Sequence, residues 1–175
     1  MNWKELLQKP SLRVLNHIQK WKDGGKIQPV ERPSWDDVMM EIAHVVKKRS
    51  MDAQTQCGCV ITNPNHQILG IGYNSFPRAI DDSMLPNMRD EKYPFMIHGE
   101  ENAILNCEHR PEGGIAYVTI KPCVPCLSKL WQVGIVEVIH DVDKASMTEN
   151  ETRKLNFEVL AWLMSHQLTI REHRK

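Results

Sequence analysis

At 175 residues the chain has room for one domain with a substantial core and little more. Hydrophobic residues make up 41% and charged residues 25%, and 22 basic side chains balance 22 acidic ones. That balance argues against a dedicated nucleic-acid binder, no apolar run has the length of a membrane helix, and the first residues lack the apolar stretch of a secretory signal. Five cysteines, an odd number without disulfide-like spacing, fit reduced thiols in a cytoplasmic setting.

Residues 3–21 read as helical, with Leu6, Leu7, Leu12, Leu15 and Ile18 as a loose stripe interrupted by Pro10. Asp23-Gly24-Gly25 ends the helix, and residues 22–33, with Pro29 and Pro33, read as a connector. Residues 1–31 are therefore expected to form an N-terminal helical arm and 32–175 the main domain. Ser34 is a good N-cap, Asp36 and Asp37 suit a first turn, and Val38, Ile42, Val45 and Val46 share a face. A helix over 35–50 follows, on which His44 reads as a surface or packed residue. Cys57–Thr62 and Ile68–Tyr73 read as strands of a hairpin turning at Asn63-Pro64-Asn65. Cys57 and Cys59 read as buried small residues beside Gly58.

Residues 74–96 show no periodicity and hold Pro77, Pro86 and Pro94 among many charges, as expected of a lid or specificity loop. Helices are predicted over 97–107, 123–133 and 149–166, and strands over 115–120, 135–139 and 168–170. The 149–166 helix is expected to bury Leu155, Val159, Trp162 and Leu163. Trp131 and Trp162 suit core or subunit contacts. The order implies an α/β fold with one mixed sheet and helices on its faces.

His98 and Cys123 fall at the first turns of two of these helices. Cys123 and Cys126, spaced i, i+3, share one helical face. Zinc takes imidazole and thiolate in a tetrahedral shell, and a catalytic zinc keeps one position open for water. Helix N-termini carry unpaired N–H groups and partial positive charge, which favours thiolates. Glu100 is close enough to act as general base and then general acid, yet outside the metal shell. H-x-E followed by P-C-x-x-C is the known signature of zinc nucleobase deaminases.

With those residues in view, the chain from about Arg32 onward resembles the deoxycytidylate (dCMP) deaminase family. Arg32-Pro33-Ser34-Trp35, Gly70-Ile71-Gly72-Tyr73-Asn74-Ser75-Phe76-Pro77, Lys92-Tyr93-Pro94, His98-Gly99-Glu100-Glu101-Asn102-Ala103-Ile104 and Pro122-Cys123-Val124-Pro125-Cys126 carry the resemblance. It implies the three-layer cytidine deaminase-like fold with about five strands. It also implies Zn2+ on His98, Cys123 and Cys126, proton transfer by Glu100, and a sugar contact from Asn74. The implied reaction is deamination of dCMP to dUMP, the precursor for thymidylate synthesis. Homo-oligomers, often hexamers, and the effectors dCTP and dTTP are implied as well. Arg78, Arg89 and Lys92 are candidates for a 5′-phosphate, and Phe76, Tyr93 and Phe95 for base stacking.

The sequence departs from the family at three places. Gly99 and Glu101 replace Ala and Leu, which is expected to loosen a helix start and add charge beside the site. Ser75 replaces Gly. The loop Pro77-Arg78-Ala79-Ile80-Asp81 lacks a glycine-cysteine pair. Two rival functions are a deaminase of another cytosine nucleoside, nucleotide or single-stranded nucleic acid, which needs a basic channel for a polymer, and a non-catalytic zinc-stabilised module, which needs no carboxylate at position 100.

Overall fold

The computed structural model describes residues 10–88, 90–141 and 151–173. Contacts divide the chain into two units, Met1–Pro33 and Ser34–Lys175. In the first, helix α1 runs Leu12–Asp23; the Ser11 hydroxyl accepts from the Val14 N–H, and Lys20 and Lys22 complement the dipole in the last turn. Leu6 and Leu7 of the predicted stripe lie outside the described residues.

The second unit opens with α2, Trp35–Val46, and a 3-10 turn at Lys47–Arg49. Ser34 and Asp37 form a reciprocal cap: the Ser34 hydroxyl accepts from the Asp37 N–H at 3.1 Å, and the Asp37 carboxylate accepts from the Ser34 N–H at 3.2 Å. The hairpin follows as β1, Gly58–Thr62, and β2, Ile68–Tyr73. Then come α3 (Gly99–Leu105), β3 (Ile115–Val118), α4 (Val124–Gln132), β4 (Glu137–His140), α5 (Glu151–Met164) and β5 (Thr169–Glu172). Two further 3-10 turns, Asp82–Met84 and Tyr93–Phe95, interrupt the stretch predicted as an aperiodic loop.

The strands form one mixed sheet in the order β2-β1-β3-β4-β5. β1 is antiparallel to β2 and β3, while β3, β4 and β5 run parallel. Strand alternation divides the core. Val60, Tyr117 and Ile139 face α2 through Met39, Met40 and Ala43. Cys59, Ile61, Ala116, Val118 and Val138 face the opposite helices through Ala103, Leu127, Leu130 and Phe157. The result is the three-layer cytidine deaminase-like α/β arrangement.

One predicted face is corrected. Leu155, Val159, Trp162 and Leu163 of α5 are all exposed, Trp162 at 74%. The helix instead packs through Phe157, Leu160, Ala161 and Met164. Apolar residues lie on both sides of α5, so periodicity alone did not say which side meets the sheet.

Two glycines set the seat of α3 on β2. A Cβ on Gly72 would stand 2.2 Å from Ala103 N and 2.3 Å from Gly99 O; one on Gly70 would stand 2.4 Å from Ala103 O. All three obstacles are helix backbone. Asn102 and Asn106 of this face then donate to the β2 carbonyls of Tyr73 and Ile71, each at 2.9 Å. Gly72→Ala must therefore push α3 off the sheet, at a cost of about 3 kcal/mol. A urea titration should show that loss, and the displaced helix start should lower bound zinc per chain.

Candidate metal centre

α3 and α4 begin beside each other at the C-terminal end of β3. His98 is the cap residue of α3, with φ −70° and ψ 156°, and Cys123 is the cap residue of α4, with φ −72° and ψ 162°. Both are extended, one residue before the helix proper. Neither side chain is spent on capping its own helix, which leaves imidazole and thiol available to a ligand. Pro125 fixes the first turn of α4 without wasting a donor, and Cys126 follows on the same turn.

His98 Nδ1 lies 3.5 Å from Cys123 Sγ and 3.3 Å from Cys126 Sγ. All three ligand atoms fall within 4.8 Å of one another. Zinc bond lengths of about 2.3 Å to sulfur and 2.0–2.1 Å to nitrogen give a tetrahedral N···S edge of about 3.5 Å. The three side chains therefore have the spacing of three corners of a zinc tetrahedron. Among the described residues no fourth His, Cys, Asp or Glu joins the group. Cys107, a conceivable fourth, donates to Ala103 O at the other end of α3.

The chemistry of the donors agrees. Cys123 is held down to about 4, chiefly by a hydrogen bond from Cys126 and also by His98. The same hydrogen bond pushes Cys126 up. The hydrogen bond with Cys123 raises His98. One thiol ionises readily here, and a divalent cation favours loss of the second proton.

Glu100 sits in the first turn of α3 and is 4% exposed. Burial pushes its carboxyl up. Cys57 Sγ lies 3.9 Å from Glu100 Oε2, and burial followed by that carboxylate pushes the Cys57 thiol up. Cys59 is fully buried in the core. Gly99 also lies close to Cys57: a Cβ there would stand 3.1 Å from Cys57 O and 3.3 Å from Cys57 Sγ. Glu101 does not stand as bare charge beside the site, because Lys129 pairs with it at 2.7 Å and links α3 to α4.

The remaining predicted contacts fall in different places. Asn74 is 8% exposed, and its amide bonds to Asp52, Thr55 O and Cys57 N. Arg78 Nη2 donates to Asn106 Oδ1 at 3.2 Å, at the end of α3 remote from His98. Lys92 is 2% exposed and donates to Asp52 at 2.7 Å, so it is neither solvated nor free for a phosphate. Arg89 lies outside the described residues. Phe76 is buried, while Tyr93 and Phe95 are exposed. His44 pairs with Asp141.

Sequence reasoning missed Asp52. Its Oδ1 accepts the Gln54 and Thr55 N–H groups at 2.8 and 3.0 Å, an Asx turn foreshadowed only by an Asp before small and polar residues. Burial alone would raise this carboxyl; the Lys92 hydrogen bond and the two backbone donors outweigh it and hold it below the usual range. A buried ion pair that loses one partner leaves a bare charge, at a cost of roughly 3–5 kcal/mol.

A model of the family described as the cytidine and deoxycytidylate deaminase zinc-binding region matches residues 33–141. The chain belongs to that family. Its cofactor is Zn2+, and its reaction is hydrolytic deamination. The deoxycytidylate deaminase of Mus musculus is 38% identical over 125 residues, covering 67% of this chain and 70% of that protein. A probable deoxycytidylate deaminase of Drosophila melanogaster is 35% identical over 122 residues, covering 63% and 60%. The crystal structure of the dCMP deaminase from cyanophage S-TIM5 in complex with dCMP and dUMP shares the fold, with a TM-score of 0.64 at 20% identity over 82% of this chain and all of that one.

Two measurements probe the centre and its surroundings. His98→Ala and Cys123→Ala should each abolish stoichiometric zinc, measured by elemental analysis of purified protein. The Asp52 carboxyl has a folded pKa below its unfolded value of about 4. Its stabilising contribution is therefore complete above that pH and is lost as pH falls through the folded value. Urea midpoints of wild type and Asp52→Asn should differ most above about pH 4 and converge in more acid buffer.

Proposed function

We propose that the protein deaminates dCMP to dUMP. The observation that carries this reading is the three-cornered His98, Cys123 and Cys126 cluster beside a buried carboxylate, Glu100, in a chain whose relatives are deoxycytidylate deaminases. A closed structural zinc takes four protein ligands. Here three are present among the described residues, and a carboxylate stands where a non-catalytic module has no need of one.

His98, Cys123 and Cys126 would hold the metal. Zinc bound there would supply the Lewis acidity that makes water nucleophilic at neutral pH. Glu100 would take one proton from the attacking water and pass it to the ring nitrogen N3, raising the electrophilicity of C4. Glu100 would then take the second proton from the hydroxyl added at C4 and deliver it to N4 as the C4–N4 bond breaks, so dCMP and water become dUMP and ammonia. The seat of α3 on Gly70 and Gly72 fixes Glu100 against this centre, and its burial keeps bulk water from competing for the proton. Asn74 takes the sugar. Arg78 serves the phosphate only after leaving Asn106, a swing open to its exposed side chain.

Residues 1–31 form an arm outside the catalytic domain of 32–175; the family match beginning at residue 33 supports this boundary. A homo-oligomer, as large as a hexamer, is supported by the exposed apolar residues of α5. No helix among the described residues is long and apolar enough to cross a membrane. Five free cysteines suit a reducing cytoplasm. Balanced charge disfavours a polynucleotide substrate.

Purified enzyme incubated with dCMP, dCTP, deoxycytidine and cytosine should yield dUMP from dCMP; its absence on chromatography sinks the proposal. Glu100→Gln should lower kcat by about 10²–10⁴-fold with zinc still bound. Full turnover in that variant would remove Glu100 from the reaction.

A further inference from the structure

One side chain beside Glu100 has no part in the reaction derived above. Cys57, the residue before β1, directs its thiol to Glu100 Oε2 at 3.9 Å. The Gly58 carbonyl lies 4.0 Å from the same sulfur. The Cys57 backbone is fixed on both sides. Its N–H donates to Asn74 Oδ1 at 2.7 Å, and its carbonyl accepts the Asn74 N–H at 3.2 Å. Gly58, the next residue, donates to Thr119 Oγ1 at 3.0 Å and accepts the Thr119 N–H at 3.0 Å. Cys57 thus stands where the ends of β2 and β3 meet the start of β1. The first residue of α3 rests against it, since a Cβ on Gly99 would stand 3.3 Å from the sulfur.

Glu100 is 4% exposed, and a buried carboxylate must find its donors within the protein. Cys126, Cys123 and His98 also act on its carboxyl, but all three belong to the metal cluster. Among the described residues, Cys57 is the side-chain donor to Glu100 from outside that cluster. A thiol is a weak donor, and a carboxylate attracts it more strongly than a carbonyl does. The last torsion of a glutamate is broad. A donor on one oxygen narrows it.

We propose that Cys57 is a positioning residue for Glu100: its thiol holds Oε2 and keeps the carboxylate in one rotational setting for its proton transfers. The assignment rests on the dCMP deaminase reading above. In this role Cys57 acts through Glu100 alone. Its effect therefore falls on kcat and not on KM.

The experiment compares dCMP turnover by wild type, Cys57→Ser, Cys57→Ala and Cys57→Val, with zinc content and thermal unfolding measured alongside. Serine keeps a donor, valine fills the space without one, and alanine does neither. Cys57→Ala and Cys57→Val should each lower kcat about two- to tenfold, with KM and bound zinc unchanged. Cys57→Ser should keep most of the wild-type kcat. A packing role would instead let valine restore the rate. Infrared spectroscopy reads the contact directly. The S–H stretching band that Cys57→Ala removes belongs to Cys57, and it should move to higher frequency in Glu100→Gln, where the acceptor is uncharged. Should Cys57→Val not fold, Cys57→Ala and the infrared shift decide. An unmoved band overturns the proposal, as does wild-type kcat in Cys57→Val or a Cys57→Ser as slow as Cys57→Ala. A wild type that leaves dCMP untouched defeats the deaminase reading instead, while the infrared shift still tests the contact.

Discussion

Two helices start at one place, and the chemistry of the molecule depends on that coincidence. A tetrahedral ion needs donors about 3.5 Å apart, and His98 lies at 3.5 and 3.3 Å from two sulfurs that come from a different helix. Such spacing tolerates little sliding of α3 against α4. The constraint runs down through the layers. α3 cannot shift because it is seated on bare backbone at Gly70 and Gly72, and the sheet beneath it is packed from the other face by α2. Lys129 and Glu101 join the two helices directly, near the ligands they carry. A surface pair of this kind adds little stability, but it balances the Glu101 charge.

The same two helix starts also explain the electrostatics. Unpaired N–H groups at a helix start favour anions, and two thiols and a carboxylate are gathered there. Burial works against that charge, as the raised Glu100 carboxyl shows. A divalent cation settles the conflict by neutralising the sulfurs. Cys57 lies outside the ligand cluster, and burial, followed by Glu100, pushes its thiol up.

Much of this was legible in the chain of letters, because the signals are local. Cap residues, helix periodicity and the short apolar runs of β1 and β3 all act within a few positions. The sheet and the His98, Cys123 and Cys126 cluster follow from them. α5 was legible as a helix but not in its facing, since Leu155 and Phe157 lie on different sides and both are apolar. Gly99 looked like a defect because helix propensity sees only its own segment, whereas the tight contact it relieves comes from Cys57, more than forty positions earlier. Lys92 misled for a related reason. A lysine among charged loop residues reads as solvated, and only the return of residues 50–57 beneath the loop buries it. Long-range burial of a polar side chain leaves no periodic trace.

That burial needs a reason beyond stability. Desolvating a lysine and an aspartate costs several kcal/mol, and an apolar pair of similar volume often holds a fold as well or better. What an apolar pair lacks is direction. Leucine and methionine in place of Lys92 and Asp52 would fill the space beneath residues 74–97 but would accept nothing from Asn74 Nδ2. The Asn74 amide would then answer only to Thr55 O and Cys57 N, two neighbours in one short stretch of chain. With Asp52 in place it answers to a carboxylate that is itself fixed by two backbone donors and an ammonium. The orientation of the Asn74 amide is thus set by groups from two separate stretches of chain, residues 52–57 and Lys92, and a buried charge pair is the part that an apolar core cannot replace.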